Sequence, residues 1–309
     1  MIIYKPSGSF FRDIRHFNRT VVIRRLLSYV FFYGLAVAAL AALFLWADWS
    51  KYLKLDGLSS IFSFLGVVLS ILLVFRTNTA YDRWWEGRKQ WGALVNHSRN
   101  LAIVGQVCFP EENKALRHRL ALLISNFCLA FKEHLREGVR LEELIELSAR
   151  DRQLYAAQQH LPAYISAQIQ QLLVQAYRRG EIRELDQLNF KPHTQALLDV
   201  LGACERIKKT PIPFSYEIFL RLFIVCYALI LPFVILPSFG FWGLPVLMLI
   251  LFAFLGLELM AAEIQDPFGQ DCNDLPTGDI AHTIRKNVFE ILEAKHEEGA
   301  PASNYSKLS

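Results

Sequence analysis

Between Ser63 and Asn100 the chain reads SFLGVVLSILLVFRTNTAYDRWWEGRKQWGALVNHSRN. Its first half is apolar enough for lipid, its second half is rich in Arg, Asn, Asp, Trp and Glu, and no proline or turn cluster marks the change. From Leu58 to about Ile103 there is no proline at all, while apolar and aromatic residues recur through Phe75, Tyr81, Trp84, Trp85, Trp91 and Leu94. The pattern predicts one helix of roughly 45 residues, about 70 Å long, which leaves the bilayer without stopping and enters an aqueous layer. An aromatic belt at the membrane surface, formed by YDRWW, is the simpler reading of the tryptophans. A belt does not account for Asn78, Asp82, Arg83 and Glu86 interleaved with them, which need buried polar partners or water.

Apolar segments near both ends add a second constraint. Leu26 to Trp46 carries no charge, and it has about the 20 residues needed to cross roughly 30 Å of hydrocarbon. The second span runs from about Leu58 to Phe75 and is followed by Arg76, whose long side chain can reach the interface or face a cavity. A third, Phe219 to Leu236, contains Arg221 and Pro232; a fourth runs from Phe241 to about Glu258, with the uncharged PSFG as a predicted tight hairpin between them. Arg12, Arg15, Arg19, Arg24 and Arg25 precede the first span, whereas Lys51 and Lys54 after it are accompanied by Asp48 and Asp56. The positive-inside rule therefore places the N-terminus in the cytoplasm. Four crossings return the chain to the same side, so the C-terminus is expected there too. The expected organisation is 1–75, an N-terminal amphipathic segment and the first two spans; 76–213, a helical cytosolic domain; 214–262, spans three and four; and 263–309, a cytosolic tail.

The composition agrees with a divided chain. With 53% hydrophobic and 20% charged residues among 309, the sequence is too apolar for an ordinary soluble protein and too charged to lie wholly in lipid. A net charge of +4, from scattered Arg, gives no nucleic-acid footprint. Cys108, Cys128, Cys204, Cys226 and Cys272 show neither CxxC pairing nor zinc-type spacing and are expected to be free thiols in a reducing compartment. The N-terminus lacks a short apolar core with a small-residue cleavage site, so no signal peptide is expected.

The middle of the chain reads as helices. ENKALRHRLALLISNFCLAFKEHLRE repeats apolar residues at three- and four-residue spacing, with Leu116, Leu120, Ile124 and Phe127 on one side; AYISAQIQQLLVQAYRRG and HTQALLDVLGACERIKKT do the same. Gly180, Pro192 and Pro211 are expected to punctuate them. With no alternating strand pattern, the fold class is all-α, a helical layer beneath four spans. No HExxH, GxGxxG, P-loop or GxSxG motif is present, so no enzyme is indicated. His118 and His134 are most simply solvated, and Glu258 and Glu263, closing the fourth span where an intramembrane acid can serve a proton relay, are read instead as solvated at the interface.

The stretch FRTNTAYDRWWEGRKQWG resembles the signature of the bestrophin family in its bacterial branch, and CERIKKTPIPFSY and EIQDPFGQDCNDLP, flanking the last two spans, agree with it in the right order. The resemblance covers nearly the whole chain. It implies a homopentameric ion channel of the bacterial inner membrane, with the second span lining the pore and one conduit running through membrane and cytosolic domain. Whether the small ions passed are anions or cations is left open. The family's hydrophobic neck falls on Val67, Ile71 and Phe75, whose four-residue spacing drifts only about 40° per step and lets all three face one axis. Leu69 and Leu73 are then expected to face lipid. Standing alone, such an apolar stripe more often serves packing or lipid contact; the register fixed by RTNTAYDRWW in the resemblance is what assigns it to the neck. A second apolar ring, in the cytosolic domain, falls near Leu185, with Ile182 as its competitor. Arg76, Asn78, Asp82 and Arg83, at the inner end of the neck, are expected to be satisfied by neighbouring subunits and pore water.

After PFG, eukaryotic relatives carry a run of acids that cradles Ca²⁺, a cation wanting six to eight oxygens. Here the run is Gln270, Asp271, Cys272, Asn273, Asp274, which implies weak Ca²⁺ binding by Asp271 and Asp274 and no required cofactor. The alternative is a turn or helix N-cap in which these side chains satisfy backbone N–H groups. A membrane-anchored helical sensor or interaction protein without conduction is the second reading of the whole chain.

Overall fold

The computed structural model describes residues 3–4, 21–46, 58–136, 138–271, 273–294 and 307–308. Nine α-helices are found among them: α1 (Val21–Trp46), α2 (Leu58–Cys108), α3 (Lys114–His134), α4 (Ala149–Ala156), α5 (Leu161–Arg178), α6 (Glu184–Lys209), α7 (Phe214–Phe239), α8 (Gly243–Ile264) and α9 (Thr277–Ile291). Ile3–Tyr4 and Lys307–Leu308 pair as a two-residue parallel ladder. Arg12, Arg15, Arg19, the loop with Lys51 and Lys54, and Cys272 lie outside the described residues.

Helix α2 is the rod expected from the proline-free stretch, 51 residues without interruption and about 76 Å long. Two apolar cores form around it. Its first half packs on α7 and α8, with Phe62, Leu69 and Leu73 beside Val37, Leu220, Ile224, Leu231 and Leu247. Its second half packs on α3, α6 and α9, where Trp91, Leu94 and Leu101 join Leu120, Ile124, Phe127, Leu197, Ile284 and Val288. The four residues expected on one side of α3 are all buried there.

Among the described residues, three stretches are long and apolar enough to cross a membrane: Val22–Leu43, Ser59–Cys108 and Phe214–Ile264. The third is 51 residues long and is split at Gly240 into α7 and α8, which pack on each other. The break lies after the expected PSFG hairpin has begun, because α7 continues through Pro237. Gly240 ends it with φ of 52°, a conformation nearly free of cost only for glycine.

Two other prolines sit inside helices. Pro232 has no N–H to give the carbonyl four residues back, and the Tyr33 hydroxyl of α1 donates to that Ala228 oxygen at 2.8 Å instead. Pro192, expected to punctuate, lies within α6. Phe190, Thr194 and Leu197, on either side of it, are all buried in the core, so tertiary packing overrides the local penalty.

Candidate functional site

The rotation of α2 about its own axis determines what the rod presents. Successive residues advance by about 100°, so Phe62, Gly66, Leu69, Leu73, Arg76 and Ala80 share one face, and all six are buried. The opposite face carries Val67, Ile71, Val74, Phe75, Asn78 and Asp82, all exposed in the single chain. Gly66 sets this register: a Cβ there would lie 2.7 Å from the Tyr227 hydroxyl, which donates to Phe62 O at 3.3 Å. Leu69 and Leu73 are fully buried against α7 and α8, not lipid-facing as expected. A helix segment this apolar has little contrast by which its sequence could tell packed face from free face.

Arg76 follows the stripe but points the other way. Its side chain is 0% exposed, and its Nε donates to Glu258 Oε2 of α8 at 3.3 Å, with Glu217 of α7 3.8 Å from Nη2. Arg221 completes the group, donating to Glu258 Oε1 at 3.0 Å and to Glu217. Two cations and two acids thus neutralise one another between three helices. Glu258 is accordingly 2% exposed, not solvated at an interface, since leaving Arg76 unpaired there would be far costlier than pairing it.

Arg83 explains part of the polar pattern among the tryptophans. Its guanidinium donates to Ile207 O at 2.6 Å, Thr210 O at 2.5 Å and Gln265 O at 3.0 Å. These carbonyls belong to the ends of α6 and α8, where helices leave C=O groups without intrahelical donors and the dipole favours a cation. Arg83 is therefore held by carbonyls of its own chain, whereas Arg76 is ion-paired within the chain but its buried Nη1 and Nη2 are left without a hydrogen-bond partner there. Asn78 and Asp82 remain exposed.

The stretch just before α7 and the one just after α8 meet the rod at this level. Lys208 pairs with Asp266 at 2.6 Å, and Trp84 Nε1 donates to Asn273 O at 3.0 Å. Phe268 is fully buried on Gly87, where a Cβ would come within 3.1 Å of its ring. Arg136, beyond the end of α3, reaches Phe268 O at 3.4 Å and Thr277 Oγ1 at 3.1 Å. Three motifs far apart in sequence form one junction where the apolar layer ends.

Asp271 and Asp274 are close but unequal. Asp271 is exposed, whereas Asp274 is 2% exposed and accepts the Asp271 backbone N–H at 2.6 Å. Asp274 thus performs the turn role. Burial pushes its carboxyl up to about 7; the Asp271 N–H bond opposes this, and the charges of Asp271, Asp266 and Glu263 reinforce it.

Of the two aperture candidates, Ile182 is a core residue at 4% exposure, while Leu185, in the first turn of α6, is 73% exposed. His118 is paired with Glu146 at 3.3 Å. His134, read as solvated, instead bonds Glu205, as does His160. No local spacing could have signalled that convergence. The four described cysteines, Cys108, Cys128, Cys204 and Cys226, are free thiols.

The family model of the bacterial and fungal bestrophin proteins matches residues 1–290. The chain belongs to that family. Among the similar curated proteins is a voltage-dependent anion channel-forming protein of Nostoc, 38% identical over 232 residues, 73% of this chain and 75% of the relative. One of the same description from Mesorhizobium japonicum is 32% identical over 98% of this chain and 96% of its own. A solved bestrophin homologue from Klebsiella pneumoniae, phased on zinc, superposes with a TM-score of 0.80 at 25% identity, over 89% of this chain and all of that one. This bestrophin is a membrane protein of a channel family, built on the same helical fold.

Proposed function

We propose that this bestrophin is the subunit of a homopentameric ion channel of the bacterial inner membrane, with α2 of each subunit lining one axial pore. The observation that carries the reading is the exposed stripe Val67, Ile71, Phe75, Asn78, Asp82 on a helix whose other face is fully packed. Repeated around an axis, the first three residues form apolar rings, a dry constriction that gates by dewetting, and the last two open into a polar conduit. Leu185, free at the start of α6, forms the aperture ring further along.

In this reading α1, the first part of α2, α7 and α8 are the four crossings. Residues 1–75 and 214–262 constitute the membrane domain, and 76–213 and 263–309 lie in the cytoplasm with both termini. The permeant species are small monovalent ions; the names of the Nostoc and Mesorhizobium relatives make chloride the first to test. Calcium is at most a weak ligand of Asp271 and Asp274, since Asp274 is buried and engaged by its own turn and a hard cation needs more oxygens than these two residues supply.

Purified protein in a planar bilayer should give unitary currents. Reversal potentials in asymmetric NaCl and then asymmetric KCl assign the ion, and the currents should persist when micromolar calcium is chelated. Intact, oligomeric protein that passes no current in either salt would leave the sensor reading in its place.

A further inference from the structure

A second constellation lies away from the α2 stripe, in the charged layer. His134 is in the last turn of α3, His160 is the N-cap residue of α5, and Glu205 is on α6. Glu205 Oε1 accepts from His134 Nε2 at 2.5 Å and His160 Nε2 at 2.9 Å. The imidazole centroids are 4.6 Å apart, and the three ligand atoms all fall within 4.8 Å of one another. Both His134 and Glu205 are mostly shielded, while His160 is open to water. Two imidazole nitrogens and a carboxylate oxygen thus converge from three helices onto one point with a solvent-facing side.

We propose that His134, His160 and Glu205 form a binding site for a divalent transition-metal ion of the zinc class, with water completing the coordination. The donor set selects the metal: imidazole suits zinc, nickel, copper and cobalt, whereas calcium and magnesium want oxygens. Three protein ligands and an open position are the pattern of a zinc ion that retains a water. In a tetrahedral site with bonds of about 2.0–2.1 Å the ligand atoms stand roughly 3.3–3.4 Å apart, so each imidazole nitrogen backs away from the shared oxygen by less than about an ångström, and the two nitrogens, already within 4.8 Å of each other, settle to the same spacing as the ion enters.

The proton bookkeeping is definite. The His160 Nδ1 accepts the Ala163 backbone N–H at 3.3 Å, so a neutral His160 carries its proton on Nε2. Coordination through Nε2 moves the proton of each imidazole to its Nδ1, since His134 Nε2 donates to Glu205 as well; at His160 it gives up the long capping bond, whose N–H is left to water. Lys209 Nζ lies 3.9 Å from Glu205 Oε2 and, at 72% exposed, is free to swing outward. The bound ion would tie α3, α5 and α6 together close to Ile207 and Thr210, whose carbonyls hold Arg83 of α2. Metal occupancy would thereby stiffen the support of the rod.

The experiment uses the full-length protein in detergent, stripped with chelator and titrated with zinc chloride by calorimetry, then with cobalt chloride by absorption. One zinc per chain is expected, with the intense visible band of four-coordinate cobalt. Glu205→Gln and His134→Ala should each weaken zinc binding at least about ten-fold. His160→Gln, at the exposed corner, is expected to do the same without threatening the fold. Absence of stoichiometric binding by the wild type, or binding undiminished in folded His160→Gln and Glu205→Gln, overturns the site and leaves a hydrogen-bonded cluster. The readout needs no ion current, so it stands or falls separately from the channel reading.

Discussion

Truncating the α2 stripe separates a pore lining from a packing face. Ile71 is 51% exposed and Phe75 60% exposed in the subunit, whereas Leu73, between them in sequence, is 0% exposed. A fully buried aliphatic or aromatic side chain contributes about 1.5–3 kcal/mol, so Ile71→Ala and Phe75→Ala, each losing less than half of that burial, should cost the subunit only about 1 kcal/mol. Leu73→Ala removes a side chain from a closed core and should cost about 2–5 kcal/mol. The functional effects run the opposite way. If the stripe rings the axis, each truncation widens the dry constriction once per subunit, and every 1.4 kcal/mol or so taken from the ion's barrier multiplies its passage about ten-fold. Ile71→Ala and Phe75→Ala are therefore expected to raise unitary current several-fold with little change in the thermal midpoint; Leu73→Ala should lower the midpoint by many degrees with no comparable gain. Single-channel recording in planar bilayers and thermal unfolding in the same detergent measure both. Currents no larger than wild type in well-folded Ile71→Ala and Phe75→Ala oligomers would refute the pore assignment, as would a stability loss equal to that of Leu73→Ala.

Other consequences follow from the buried charges and from assembly. Glu258→Gln leaves the wholly buried Arg76 without its nearest acid and should destabilise the protein by about 3–5 kcal/mol, while the double change Arg76→Met with Glu258→Leu should recover most of the loss; no recovery would mean the group matters for more than charge pairing. Glu133 is 2% exposed and bonded by Lys132 and Arg140, each at 2.9 Å. Burial raises its carboxyl, but those bonds and charges outweigh it and hold it below its ordinary 4.5. Its stabilisation is thus present above about pH 4.5 and lost as pH falls through the lower folded value, so Glu133→Gln should be less stable at neutral pH and show a flatter acid limb in pH-dependent unfolding. Mass measurement in mild detergent should give five times the 35.5 kDa chain; a stable monomer would contradict the assembly.

Hydropathy and the absence of proline are local properties, and they sufficed for the length of α2, the apolar segments and the helical character of the insert. Leu116, Leu120, Ile124 and Phe127 could be placed on one buried face because polar neighbours give α3 contrast. The same reasoning had little purchase on Val67 to Phe75, where Ser70 is the one polar residue; only the position of α7 and α8, with Tyr227 against Gly66, decides that Leu69 and Leu73 are packed and Ile71 and Phe75 are free. Pro192 misled for a related reason, since burial on both sides of it outweighs a local preference. The charged partners lay further out of reach. Arg76 and Glu258 are 182 residues apart, and Glu205 lies 71 residues from His134 and 45 from His160. A linear sequence records which residues can carry charge or bind a metal, but which of them share a site depends on how the helices pack, and that is set by apolar surface summed over the whole fold.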